Sequence, residues 1–154
     1  MSVTARLDSL GISLPQVATP AGSYLPATVV GDLVYTSGQL PMVDGELLAT
    51  GLVGASVTPQ QASDCARVCA LNCLAAAAGV VGGVDNLAGI VKVSVFVASD
   101  PAFTGQPGVA NGASDLLEQV FGEAGRHVRA AVGVAVLPLG APVEVELIAR
   151  VSTR

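Results

Sequence analysis

The sequence predicts an α+β fold, with two helices on one face of a mainly antiparallel sheet in the order β-β-(β)-α-β-α-β-β. Three observations carry that expectation. Valine-rich runs alternate with period two at 89–99, 128–137 and 143–151, as half-buried strands require. Two other stretches repeat their apolar residues at helical spacing, one opened by Thr58-Pro59-Gln60-Gln61 and one closed by Phe121-Gly122. Strands and helices of these lengths, mixed within 154 residues, fit one two-layer core. The expected organisation is therefore a single domain over 1–154, with an extended N-terminal segment over 1–23.

The elements follow in order. Residues 1–26 read as a loose segment with a short helical turn near "VTARLDSL". "TVVGDLVYTSGQL" (28–40) reads as two strands around a Gly31-Asp32 turn. "PMVDGELLATG" reads as a loop, and "LVGASV" as the bracketed short strand. In the first long helix Thr58 is the N-cap, Pro59 takes the first helical position and Gln61 closes a capping box. Ala62, Cys65, Ala66, Cys69, Cys73, Ala76 and Ala77 form its apolar stripe, opposite Gln60, Asp64 and Arg67, and Gly79 is the expected terminator. Side chains that small let the helix lie close to a sheet. "GIVKVSVFVAS" (89–99) is a strand with Val91, Val93, Val95 and Val97 on one face. "DPAFTGQPG" is a loop. "ANGASDLLEQVFG" is a second helix with Leu116, Leu117, Val120 and Phe121 inside and Gly122 as its stop. Residues 125–151 read as a hairpin that divides at "LPLGAP". No internal repeat or low-complexity linker interrupts the chain.

Composition narrows the classes of function. The chain is 51% hydrophobic and 12% charged, against about 25% charged for an ordinary water-facing domain. Part of its surface is expected to be covered by copies of itself. The uncharged window Val68–Val84 is mostly Ala and Gly and contains Asn72. A bilayer span needs roughly 20 strongly apolar residues, so a buried helix is expected and a membrane is not. The start "MSVTARLDSLGISLP" has no apolar signal core, and a cytoplasmic location is expected. A net charge of −5 with no basic cluster argues against nucleic acid. Cys65, Cys69 and Cys73 line one helix face at a spacing that matches no zinc pattern. They read as small core residues, and no metal is expected.

Against this background the charges in 125–151 stand out. Alternation groups Val128, Ala130, Val132, Val134 and Val136 on one face of the first arm, and Arg129, Ala131, Gly133 and Ala135 on the other. In the second arm Val143, Val145, Leu147, Ala149 and Val151 share a face, with Glu144, Glu146, Ile148 and Arg150 opposite. The valine faces are expected under the helices, so the other face gathers Arg129, both glutamates and Arg150 around small residues. That is a floor which a ligand or a second subunit can approach closely. The plainer alternative is a solvated face, where cross-strand Arg–Glu pairs contribute only about 0.2–1 kcal/mol.

Several of these stretches resemble one family. "GDLVYTSGQLP", "VKVSVFVAS", "NGASDLLEQVF" and "VRAAVGVAVLPLGAPVEVELIA", in this order, are similar to the Rid (YjgF) family of reactive intermediate deaminases related to RidA. The resemblance runs from about Tyr24 to Val151. It implies a chorismate-mutase-like α+β fold assembled as a homotrimer, with clefts between neighbouring subunits. It also implies hydrolysis of 2-imino or enamine acids to 2-keto acids and ammonia, without metal or organic cofactor. By position, Arg129 matches the arginine that grips the substrate carboxylate, and Glu144 the acid that orients the attacking water. Tyr24, Gly38 and Asn111 match substrate-contacting positions. Ala131 stands where the best-known members have Cys, at a position that acts through its backbone carbonyl.

The chemistry suits the residues. An imine carbon is already electrophilic, so one Arg and one general base suffice, and the sequence displays no His/Ser or Cys/His pair as a nucleophile. His127, the one histidine, is either a proton shuttle or a partly exposed strand-start residue. Arg126 reads as a rim charge. The segment before Tyr24 and the loop "DPAFTGQPGVANGASD" are longer than in compact members, which points to a side branch with a different natural substrate. Two other functions compete: a non-catalytic trimer that captures small carboxylates, and an endoribonuclease. The acidic balance, with three Phe, two Tyr and no Trp, disfavours the endoribonuclease.

Overall fold

A computed structural model describes residues 1–153. Three helices, α1 (Val3–Ser9), α2 (Pro59–Val81) and α3 (Gln106–Phe121), accompany seven strands: β1 (Ala27–Val30), β2 (Leu33–Thr36), β3 (Met42–Val43), β4 (Glu46–Leu47), β5 (Leu87–Ala98), β6 (Val128–Val134) and β7 (Val143–Val151). Five strands form one sheet in the order β1-β2-β7-β5-β6, and β3-β4 pair separately. Every pairing is antiparallel except β5 with β6. α2 and α3 pack on each other and on one face of the sheet, so the α+β expectation holds.

The helix start is built as its residues demand. The Thr58 hydroxyl accepts from Gln61 N–H while the Gln61 side chain accepts from Thr58 N–H, which satisfies two otherwise orphaned groups. α2 is long and apolar enough by composition to cross a bilayer, but its Ala, Cys and Leu side chains are buried between α3 and the sheet. The Cys69 and Cys73 thiols donate to the Val143 and Val145 carbonyls at 3.7 and 3.2 Å. Burial pushes the Cys65 thiol up to about 11 and the Cys73 thiol up to about 12. The cysteines are core residues, as expected. Gly112 lets α3 close on α2, because a methyl there would collide with the Ser63 carbonyl.

Several expectations are corrected. α2 runs past Gly79 to Val81 and ends at Gly82, which has the positive φ (81°) that a left-handed cap requires. Gly79 stays helical. "LVGASV" contributes only isolated bridges through Val53, to Val57 and Ser99. Residues 42–47, expected as loop, form a small hairpin, with Asp44 (φ 52°) and Gly45 (φ 83°) both in the left-handed region of its turn. α3 begins at Gln106, so the end of the supposed loop is its first turn. A bulge between Ile90 and Lys92 takes Val91 out of the valine series and puts Ile90 into the core.

The largest correction concerns the supposed hairpin. β6 and β7 do not pair, because β5 lies between them. The crossover reflects what β5 is: a twelve-residue strand with buried Val93, Val95 and Val97 that needs partners on both edges. β7 buries Val143, Val145, Leu147 and Ala149 as expected. In β6 the expected facing is inverted. Arg129 and Ala131 register with buried Val93 and Val95, on the helix side, while Val128 and Val132 register with Lys92 and Phe96 on the open face and are 65% and 46% exposed. β6 is an edge strand with little helix above it, so the valine pattern could not report which face is covered.

Candidate functional site

Arg129 leaves β6 on the helix side and is held by α3. Its Nη1 donates to Asn111 Oδ1 at 2.8 Å and to Ser114 Oγ at 3.2 Å, and its Nη2 donates to the Pro107 carbonyl at 3.5 Å. Both Nη1 hydrogens are thus occupied. The Nε–H and the second Nη2–H, which lie side by side, remain for a carboxylate in the two-bond geometry that guanidinium favours. Ser114 leads to His127. The imidazole Nδ1 must donate to the Gly125 carbonyl (2.7 Å), which can only accept, so in the neutral ring Nε2 accepts from the Ser114 hydroxyl at 2.9 Å. A Ser–His pair therefore exists beside Arg129, contrary to the sequence expectation. Ser114, Glu118, Gly125, Arg126, His127 and Arg129 line a cavity of about 400 Å³. Arg126 sits at its rim and pairs with Glu118 at 3.0 Å, as expected of a rim charge. Ala131 shares Arg129's side of the strand and is partly buried.

Glu144 projects from β7 onto the open face, opposite Phe96. It is half-buried; desolvation first, and then repulsion from Glu146, raises its carboxyl above the ordinary glutamate value. Its carboxylate lies against Gly38, where a methyl group would collide with Oε1. Gln39 docks the "SGQ" turn beside it, exchanging backbone hydrogen bonds with Val145 (2.7 and 3.0 Å). Ser37 N–H donates to the Pro26 carbonyl at 2.8 Å, which ties the turn to the segment bearing Tyr24. Tyr24 and Gly38 line a second cavity, of about 470 Å³.

The structure brings Arg129 to Asn111, and Glu144 to Gly38 with Tyr24 nearby, but it does not bring the two groups together. Their strands are separated by β5, three residues out of register, and their side chains leave opposite faces. Two strand spacings of about 4.8 Å and three residues of about 3.3 Å put the two Cα atoms roughly 14 Å apart. The expectation that Arg129 and Glu144 share one strand face is wrong within a protomer. Neither group has an ion-pair partner among the described residues, where the one salt bridge is Arg126–Glu118.

Comparison with known proteins gives this geometry its context. The family described as "YjgF/chorismate mutase-like, putative endoribonuclease" matches residues 4–151. The chain belongs to the YjgF family. Protein TCP17 of Trypanosoma cruzi is 48% identical over 145 residues, covering 94% of this chain and 91% of its own. A crystal structure from Agrobacterium tumefaciens, of a protein of unknown function, is 43% identical with a TM-score of 0.90, covering 98% of this chain and 94% of that one. RidA from an Antarctic Psychrobacter species is 28% identical with a TM-score of 0.61, over 88% of this chain and 94% of its own. Within the YjgF family, then, the chain lies on a branch divergent from RidA, as its longer N-terminal segment and 100–115 loop led one to expect.

Sequence reasoning missed Ser114 and the pairing of His127 with it. The signal was present: Ser114 lies three positions beyond Asn111, on the same face of α3. It also passed over Gln39 and Asn72, which are 6% and 2% exposed and line the larger cavity.

Proposed function

We propose that this protein hydrolyses reactive 2-imino acids to 2-keto acids and ammonia as a homotrimer, with each site completed by two neighbouring protomers. One protomer supplies Arg129, steadied by Asn111 and Ser114, with the Ala131 carbonyl beside it. Its neighbour supplies Glu144 with Gly38 and Tyr24. The observation that carries the proposal is the pair of unmatched charges: a guanidinium with its two-bond edge open, and a half-buried carboxylate, on opposite faces of one sheet. Joining them takes a second copy. The open face supports such an assembly, since Val30 and Tyr35 toward one edge and Val128 and Val132 at the other are exposed with no layer above them, and exposed apolar side chains on an uncovered sheet face suit an interface.

In the reaction Arg129 holds the substrate carboxylate and Glu144 accepts a proton from water as its oxygen bonds to the imine carbon. The C=N π electrons move to nitrogen, which takes that proton from Glu144. The resulting carbinolamine collapses: Glu144 takes the hydroxyl proton and passes it to nitrogen, C–N breaks, ammonia leaves, and the hydroxyl oxygen becomes the keto oxygen. A raised carboxyl suits the second proton transfer as well as the first.

The test generates 2-iminobutanoate with a dehydratase and follows keto-acid release. Acceleration by the protein is expected, together with loss of about 10²–10³-fold in kcat/KM for Arg129→Ala and of at least about 10² for Glu144→Gln. Mixing those two variants before reassembly should restore about a quarter of the wild-type rate, because some clefts then combine one intact residue from each protomer. Keto-acid binding without turnover would favour a carboxylate-capturing trimer instead, and RNA cleavage that survives Arg129→Ala would favour an endoribonuclease.

A further inference from the structure

We propose that the cavity beneath the N-terminal segment is the side-chain pocket of this site, built for a substrate whose side chain is long, uncharged and carries a hydrogen-bond donor. This inference rests on the deaminase reading and adds the substrate class to it. The larger cavity meets the Glu144 site at Gly38, which borders both. Its wall is the stretch 15–21, chain that has no helix or strand of its own and yet closes over Tyr24, Leu40 and Met42. At about 470 Å³ it exceeds what a small imino acid needs. It has room for roughly fifteen waters at about 30 Å³ each, and a four-carbon imino acid displaces on the order of five.

The lining defines the chemistry. Pro15, Pro20, Leu40, Met42 and Leu139 make the wall apolar. Leu139 is held there at a φ of 60°, unusual for a residue with a branched side chain. Asn72 stands among them, 2% exposed. Its Nδ2 donates to the Leu40 and Met42 carbonyls at 3.0 and 3.1 Å, which fixes the amide's orientation. Its Oδ1 accepts no hydrogen bond among the described residues. Gln39 is 6% exposed, lines the same cavity, and its side-chain amide is likewise unpartnered among them. No fully buried polar atom lacks a partner among the described residues, so these two amides open onto the cavity they line, where a ligand's donor can meet them. Asp44, also in the lining, disfavours a negatively charged side chain.

The experiment uses a broad-specificity amino-acid oxidase to generate the imines of 2-aminobutyrate, phenylalanine and tyrosine. It compares the full chain with Ala18→Trp, which fills the wall without touching Arg129 or Glu144. The tyrosine-derived imine should be processed at least about 10-fold faster in kcat/KM than 2-iminobutanoate, and faster than the phenylalanine-derived one. Ala18→Trp should erase the advantage of the two aromatic imines, read as the ratio of their kcat/KM to that of 2-iminobutanoate, with melting temperature confirming the fold. Equal rates for all three that Ala18→Trp does not alter would overturn the pocket while leaving the deaminase reading intact. If no imine is hydrolysed, that reading fails, and calorimetry with the stable keto acids still decides the pocket. 4-Hydroxyphenylpyruvate should then bind more tightly than 2-ketobutyrate and lose that advantage in Ala18→Trp; equal affinities would overturn it.

Discussion

Gly38 and Glu146 act on Glu144 from two sides, and each offers a test that leaves the carboxylate in place. At Gly38 an added methyl would meet Glu144 Oε1 and Cδ, so Gly38→Ala should displace the carboxylate and cut kcat/KM by more than 10-fold. Stability should fall by about 1–3 kcal/mol, since over-packing costs about that much; activity assays beside denaturant unfolding separate the two effects. Glu146 raises the Glu144 carboxyl through like-charge repulsion, second to desolvation. The proposed reaction needs Glu144 ionised, so activity should fall as pH drops through its raised value, above the ordinary 4.3 or so. Glu146→Gln removes the repulsion, lowers that value, and should move the acid limb of the kcat/KM profile to lower pH. These residues were legible to different degrees. Arg129, Glu144, Gly38 and Tyr24 were found through a family resemblance, and Asn111 with them. Ser114 and His127 were not joined, because their hydrogen bond spans a helix and a strand start that no local pattern links.

Among the elements, α2 is where sequence and structure agree most closely, and its predictions follow from its packing. Its cysteines are buried against β7 with their thiols pushed far above the ordinary range. A thiol reagent at pH 8 should therefore label none of the three in the native protein and all three in denaturant. Where α2 meets α3, Gly112→Ala forces a methyl onto the Ser63 carbonyl and should lower stability by about 1–3 kcal/mol in denaturant unfolding. Element types were readable because caps, periodicity and turn residues are local. The Thr58 capping box is one such case. The Asp44-Gly45 turn was equally readable, since an Asp-Gly pair between short apolar runs signals a hairpin, and it was passed over. Strand order was not local. Two valine runs joined by "LPLGAP" read as neighbours, and nothing within 125–151 says that β5 separates them. The facing of β6 failed for the same reason, since its valines meet open surface, not helix.

On the scale of the whole molecule, the sheet face opposite the helices is where the proposed trimer closes. If neighbouring copies cover it, Val132→Asp should convert the trimer to monomer in solution mass while the circular dichroism spectrum is kept, and activity should vanish with the assembly. The strand order has another consequence, for synthesis. β7 is made last yet occupies the middle of the sheet, between β2 and β5. Until its residues emerge from the ribosome, β1-β2 and β5-β6 are two half-sheets with a gap where Val143, Val145 and Leu147 belong. The nascent chain then exposes two unpaired inner edges and must wait for β7 to join them. A stop codon inside β7, ahead of Leu147, therefore takes away the strand that joins the two half-sheets, whereas deleting residues 3–6 removes only the first turn of α1.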